Sequence, residues 1–405
     1  MFYSISKLDN GSITSPKGFA AGGVHAGLRY SKKDLGMIYS EVPAVAVSVH
    51  TLNKFIAAPN LVTQQSIAVE QTIQAVVTNS ACANACTGSR GMEDALTMRK
   101  LAAEKFGLPE HYVAVASTGV IGEFLDMEKI KKGIGAVVVE TTLDGAKGYE
   151  KAIMTTDTIE KYTGYEAEID GVKVTMGGCC KGSGMIHPNM ATMLGFITTD
   201  ALVDHDALKK VFSQITDISF NQITVDGETS TNDMLLLLAN GMALNEMLDE
   251  DHPQWPVFVG MLTQTAQDMA KAIARDGEGA TKLIEVHVRG AASDKDARAI
   301  SKQIVGSSLV KTAVYGNDAN WGRIFSAAGH AQAEVDPSKV DVMLGETTML
   351  KNSEVVPFDE EVAKVYLQGS TVRIEVDFHM GDGSATAWGC DLTYKYVEIN
   401  ASYRS

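Results

Sequence analysis

The run Lys181-Gly182-Ser183-Gly184-Met185-Ile186-His187-Pro188-Asn189-Met190-Ala191-Thr192-Met193-Leu194-Gly195-Phe196 constrains the chain more than any other, because it joins a Gly-rich, turn-forming stretch directly to an apolar, strand-like one. Gly182 and Gly184 give a permissive backbone and Pro188 closes the turn, so a small hydroxyl residue, Thr192, is presented where regular structure begins. A Thr hydroxyl is a poor nucleophile unless a base sits beside it. Were the Ala191–Thr192 bond cut, Thr192 would carry a free α-amine within reach of its own hydroxyl, with a pKa of roughly 7.7 to 8.0. One residue would then hold both nucleophile and base.

The rest of the chain reads as a mixed fold with room for two cores, since its 405 residues exceed the size at which single domains usually stop growing. Short β-rich runs appear at Ala44–Val49, Ile73–Val77 and Tyr112–Ala116. Between the last two, Ala95, Met98, Ala102 and Phe106 recur at helical spacing up to a stop at Gly107. Beyond Thr192 the helices lengthen: Phe258, Leu262, Ala266, Met269 and Ile273 form one stripe, and Ser293 with Asp296 opens a second helix through Val305 as a capping box. The segment Leu309–Val314 leads into a strand-rich tail with Thr371–Asp377 and Ala385–Gly389. This order favours a layered α+β architecture over a doubly wound nucleotide fold, with a boundary near residue 280.

Acidic residues outnumber basic ones 50 to 35, and no Lys/Arg cluster is longer than Lys131-Lys132 or Lys32-Lys33, so no nucleic-acid partner is expected. No apolar run approaches the length needed to span a bilayer, and Met1–Lys7 lacks the basic start and apolar middle of a signal peptide, so neither membrane nor export is expected. Five cysteines, an odd number, fit reduced thiols in the cytoplasm. Cys82, Cys86, Cys179 and Cys180 lack zinc-site spacing, Asp226, Glu228 and Asp233 lack the calcium-loop pattern, and no phosphate-binding loop is present, so no metal and no resident cofactor are expected. Ser230-Thr231-Asn232-Asp233 reads as a helix cap or as support for an active site.

The Lys181–Phe196 run closely resembles the self-cleavage segment of the ornithine acetyltransferases, the arginine-biosynthesis family that splits itself before a Thr. Other blocks follow in that family's order: Ala116–Glu123, Met154–Thr158, Val225–Asp233, Tyr315–Asp318 with Asn320–Ile324, and Glu398–Ala401. The resemblance spans essentially the whole chain. It implies a sandwich of sheets covered by helices, akin to the N-terminal nucleophile hydrolases, over residues 1–280, and a smaller α/β domain over 281–405 whose tail returns to the site. It also implies cleavage between Ala191 and Thr192 into chains 1–191 and 192–405, which stay together as a heterotetramer of two of each.

In that family's pattern Thr118 and Gly119 form the oxyanion hole, and Thr155, Lys181, Thr192, Glu278, Asn400 and Ser405 contact the substrate. The implied reaction passes the acetyl group of N2-acetylornithine through an acetyl-Thr192 ester to glutamate. Some members of the family also acetylate glutamate from acetyl-CoA as co-substrate, and nothing in these residues separates the two kinds. Lys181 is the natural partner for a carboxylate and Glu278 for an ammonium. The chain departs from the family's usual wording at Ala81-Cys82, Cys179-Cys180, Ala319, Ser402 and Ser405, which leaves substrate detail open more than activity. A self-processing aminopeptidase or amidase, in which water takes the acyl group, and a non-enzymatic binding protein are the other readings. Deleting Tyr403-Arg404-Ser405 is expected to leave self-cleavage intact and to lower transfer from N-acetylornithine to glutamate; unchanged steady-state kinetics would mark the tail as an ordinary frayed end.

Overall fold

The computed structural model describes residues 4–187 and 193–402. The fold is mixed α/β, with two sheets in two compact units. The first unit is Met1–Gly182, Asn189–Thr216 and Thr229–Met269, and the second is Ser183–Pro188, Asp217–Glu228 and Ala270–Ser405. Instead of meeting at one boundary near residue 280, the units are interleaved in sequence. The cause is tertiary pairing, which periodicity along the chain does not reveal.

The first unit carries strands β1 (Ser6–Lys7), β2 (Phe19–Val24), β3 (Leu35–His50), β4 (Thr72–Asn79), β5 (Val113–Ser117), β6 (Lys161–Ile169), β7 (Val172–Lys181) and β8 (Leu194–Thr199). After β9 (Ile223–Thr224), which belongs to the second unit, it adds β10 (Met234–Ala239). The sheet order is β1-β6-β7-β8-β10-β3-β4-β5, with β2 also on β3. Helices α1 (Ala58–Glu70), α2 (Gly88–Phe106), α3 (Met127–Ala136), α4 (Leu143–Ile153), α5 (His205–Asp217) and α6 (Trp255–Arg275) complete this part of the chain.

β3 turns a corner. Tyr39 pairs with Ala75 but Ala44 pairs with Ile73, so four residues, 40 to 43, stand opposite Gln74 alone. Pro43 lies in this bulge, where its missing N–H costs no ladder bond. The buried Gln74 amide donates to the carbonyls of Ser40 and Glu41 at 3.1 and 3.3 Å, so the interrupted ladder leaves those oxygens partnered. One apolar cluster then joins Phe19, Ile38, Val76 and Ala116 from one half of the sheet to Ala46, Phe196 and Leu236 from the other, the filling of a sandwich. The alternate residues Val77, Val113 and Val115 pack on the opposite face with Val62 of α1, Met98 of α2 and Ile134 of α3. Burial on both faces is why these strands read as near-continuous apolar runs.

The second unit holds β9 and then β11 (Leu283–Ala291), β12 (Asp341–Leu344), β13 (Thr347–Lys351), β14 (Glu354–Val355), β15 (Thr371–Asp377) and β16 (Gly383–Cys390), in the order β14-β13-β12-β15-β11-β16-β9. Its helices are α7 (Asp294–Gly306), α8 (Ser308–Tyr315), α9 (Trp321–Gly329), α10 (Glu360–Leu367) and α11 (Tyr394–Ala401). Ile284, Val286 and Val288 of β11 pack with Ile300 and Ile304 of α7, while β15 alternates buried and exposed residues. The expected stop at Gly107 is present with φ +67°, its N–H donating to Ala103 and Glu104, and Ser293 caps α7 through the N–H of Asp296. The run Leu309–Val314 is helical, capped by Ser307.

Glu150 on α4 is buried, and its Oε1 has no hydrogen-bond partner among the described residues. Burial, reinforced by the negative charge of Glu160, pushes its pKa up to about 9. The folded chain keeps this proton where the unfolded chain has released it, so the contribution to stability is lost as pH rises from 4.5 through about 9. Urea unfolding across that window is expected to show the free energy of the wild-type chain falling relative to that of Glu150→Gln, with a difference in slope approaching ~1.4 kcal/mol per pH unit. An unchanged slope in the variant would place the dependence elsewhere.

Candidate active site

β5 delivers its last residue, Ser117, fully buried, and the chain turns at Thr118-Gly119. Two asparagines pin this turn. The Asn79 carbonyl accepts the Thr118 N–H at 3.0 Å, and its side-chain oxygen accepts the Ser117 hydroxyl at 2.6 Å. The Asn232 amide donates to the carbonyls of Ser117 and Ala83 at 2.9 and 2.5 Å. Gly119 has φ +134°, and a Cβ there would stand 2.1 Å from the Ala81 carbonyl carbon, so only glycine fits. Because the Thr118 N–H is consumed by the ladder, the donors left at the turn are the Thr118 hydroxyl and the Gly119 N–H. Neither has a partner among the described residues. Two donors held on a rigid turn are what stabilisation of an oxyanion requires.

Thr155 and Lys181 lie in the same unit, half-buried. Lys181 closes β7 and pairs in register with Leu194, the first residue of β8. Between their segments sits Asp157, whose carboxylate accepts from the N–H of Thr155 at 3.0 Å, the N–H of Gly182 at 2.8 Å and the Lys161 ammonium at 2.6 Å. Burial would raise the pKa of Asp157, but the ammonium groups of Lys161 and Lys181 outweigh it and hold the carboxyl at about 2. Asp233, just before β10, is also buried and feels Lys181. Burial pushes its carboxyl well above the usual range, and its Oδ2 has no partner among the described residues. Ala191 and Thr192 lie outside the described residues.

In the second unit Glu278 is buried and accepts from the Asn400 amide at 2.7 Å. Its own N–H donates to Ser183 at 2.9 Å, and a Cβ on Gly184 would fall 2.3 Å from the Glu278 carboxyl carbon. Asp226 grips the neighbouring backbone, taking the N–H of Met185 at 2.7 Å and of Ile186 at 2.9 Å, with the Tyr396 hydroxyl at 3.1 Å. Met185 is thereby held at φ +57°, an uncommon conformation for a side chain of its size. Burial and the Asp226 charge together push the Tyr396 phenol up. Ser405 lies outside the described residues.

Ser230–Asp233 is no helix cap, because the chain runs from it straight into β10; Asn232 supports the Thr118 turn instead. Sequence reasoning does not single out Asn79, Asp157, Asp226 or Gln74 as supporting residues. For Asp157 spacing gives no signal, because it accepts from Thr155, two residues before it, and from the distant Gly182, not from the N–H two residues on that an ordinary Asx turn uses. Among the described residues no three His, Cys, Asp or Glu side chains come together as a metal site.

A family model described as the ArgJ family matches residues 20–405. The chain is 60% identical over 401 residues to the arginine biosynthesis bifunctional protein ArgJ of Geobacillus kaustophilus, covering 99% of this chain and 98% of that protein. To the protein of the same name from Bacillus subtilis it is 59% identical over 395 residues, covering 98% and 97%. A crystal structure of the Bacillus halodurans protein of that name matches at 56% identity and a TM-score of 0.47, covering 47% of this chain and all of that one. The chain belongs to the ArgJ family and is an acyltransferase of arginine biosynthesis.

Proposed function

We propose that the chain transfers the acetyl group of N2-acetylornithine to glutamate through an acetyl-Thr192 ester. The observation that carries this reading is the pair of donors at Thr118 and Gly119, unpartnered among the described residues, in a chain 60% identical to a relative named as an arginine-biosynthesis enzyme. The Thr192 hydroxyl attacks the acetyl carbonyl, its proton passes to the Thr192 α-amine, and the carbonyl oxygen becomes an oxyanion held by the Gly119 N–H and the Thr118 hydroxyl. The C–N bond then breaks, and ornithine leaves with that proton. In the second half-reaction the glutamate amine attacks the ester, releasing N-acetylglutamate and returning a proton to the Thr192 oxygen.

Lys181 recognises a substrate carboxylate, Glu278 an ammonium, and Thr155, Asn400 and Ser405 supply neutral hydrogen bonds. The relatives' names call them bifunctional, which supports a second activity in which acetyl-CoA acetylates glutamate. Acetyl-CoA is a co-substrate on this reading, and no cofactor is resident. The chains 1–191 and 192–405 arise when the Thr192 hydroxyl attacks the Ala191 carbonyl and the ester is hydrolysed. Two of each assemble in the cytoplasm.

Denaturing electrophoresis and intact mass are expected to show two pieces of similar size for the purified protein and one for Thr192→Ala, which is also inactive. Incubation with N-acetylornithine alone is expected to add one acetyl group to the 192–405 piece. A cleaved, active Thr192→Ala protein would overturn the mechanism, and acetate released without glutamate would identify a hydrolase instead.

A further inference from the structure

We infer that Asp157 is a positioning residue of the acyl-transfer site, its one carboxylate locking the segment that carries Thr155 to the segment that carries Lys181. The inference rests on the transfer reaction proposed above. Oδ2 takes the backbone N–H of Thr155 itself at 3.0 Å, and Oδ1 takes that of Gly182, the residue after Lys181, at 2.8 Å. A carboxylate is rigid and planar, so these two bonds fix the distance between two backbone points far apart in sequence. The Lys161 ammonium at 2.6 Å balances the charge, and both side chains are 0% exposed.

Thr155 is held from its other side as well. The Arg29 guanidinium donates to the carbonyls of Met154 at 2.6 Å and Thr155 at 3.0 Å. Arg29 is in turn seated by Asp34, whose buried carboxylate accepts the N–H groups of Ala26, Gly27 and Arg29. With its N–H and its carbonyl both bound, the Thr155 backbone is fixed, and only the χ1 rotamer remains to place its hydroxyl. The carboxyl of Asp157 stays ionised at any working pH, so the clamp does not switch.

A buried ion pair could instead serve stability alone, and the two roles separate by substitution. Asp157→Asn turns one accepting oxygen into a donor, so either Thr155 or Gly182 loses its acceptor, and Lys161 loses its counter-charge. Adding Lys161→Met removes the ammonium that faced Asp157 and leaves the clamp broken; where the single variant does not fold, this double variant carries the comparison. Both are expected to raise KM for N-acetylornithine about tenfold, the cost of misplaced hydrogen bonds, with a far smaller change in kcat. The double variant is expected to recover melting temperature and not KM. Recovery of KM together with melting temperature would overturn the inference.

A second readout needs no activity. Amide exchange at whichever of Thr155 and Gly182 loses its acceptor, in substrate-free protein, is expected to quicken in both variants, and unchanged exchange at both amides would overturn the clamp directly. Should the wild-type protein transfer no acetyl group, the functional reading falls, while amide exchange still decides whether Asp157 holds the two segments.

Discussion

The corner in β3 is the constraint on which the first unit depends. A strand of 16 residues with an unbroken ladder would extend a flat sheet, and a sheet of nine strands buried on both faces would need covering over its whole area. The bulge at residues 40–43 lets the sheet double over so that its halves cover each other. Doubling also explains how the loop before β10 reaches the end of β5, where Asn232 binds Ser117. A turn bearing two donors that are unspent among the described residues is thus supported from a strand that is not its sheet neighbour.

A second theme is how this acidic chain uses its carboxylates. Asp34, Asp157 and Asp200 in the first unit, and Asp226 and Asp391 in the second, each accept two or more backbone N–H groups. Such bonds satisfy loop donors that no ladder or helix reaches, and hydrogen bonds to a charged acceptor are the stronger kind. Backbones held this way keep conformations that would otherwise relax, as Met185 does at positive φ. Negative charge in this protein is therefore in part an internal scaffold as well as surface.

Much of the fold was legible because local signals agreed with tertiary ones. Gly107 stops α2 and Ser293 starts α7 where the sequence pattern puts them, since capping is a local hydrogen-bond problem solved within a few residues. The strand segments around Val47, Val76 and Val115 were legible for the same reason. Pro43 gave no warning of a corner, because a proline in a β-rich run equally marks an edge strand, and the compensating residue, Gln74, lies on another strand. Leu309–Val314 mixes the β-branched Val310, Thr312 and Val314 with Leu309, Lys311 and Ala313, and Ser307 caps it as a helix, since β-branched residues tolerate helix where packing favours it. For the site, the resemblance supplied Thr118 and Gly119, but which of their donors stay unspent depends on Asn79 across the parallel ladder, a partner that spacing cannot indicate.

The strand order has a topological consequence. β7 and β8 are neighbours in one sheet, and so are β3 and β10, although in each pair one strand precedes residue 188 and the other follows residue 192. A break in the connection between β7 and β8 would leave two polypeptides laced through a single sheet, each completing ladders begun by the other. Neither would be a domain in its own right. Made from separate genes, each would present long unpaired strand edges before meeting its complement, the kind of surface that drives aggregation. Such an architecture favours making the protein as one chain, and after such a break the folded sheet, not the covalent link, would hold the two pieces together.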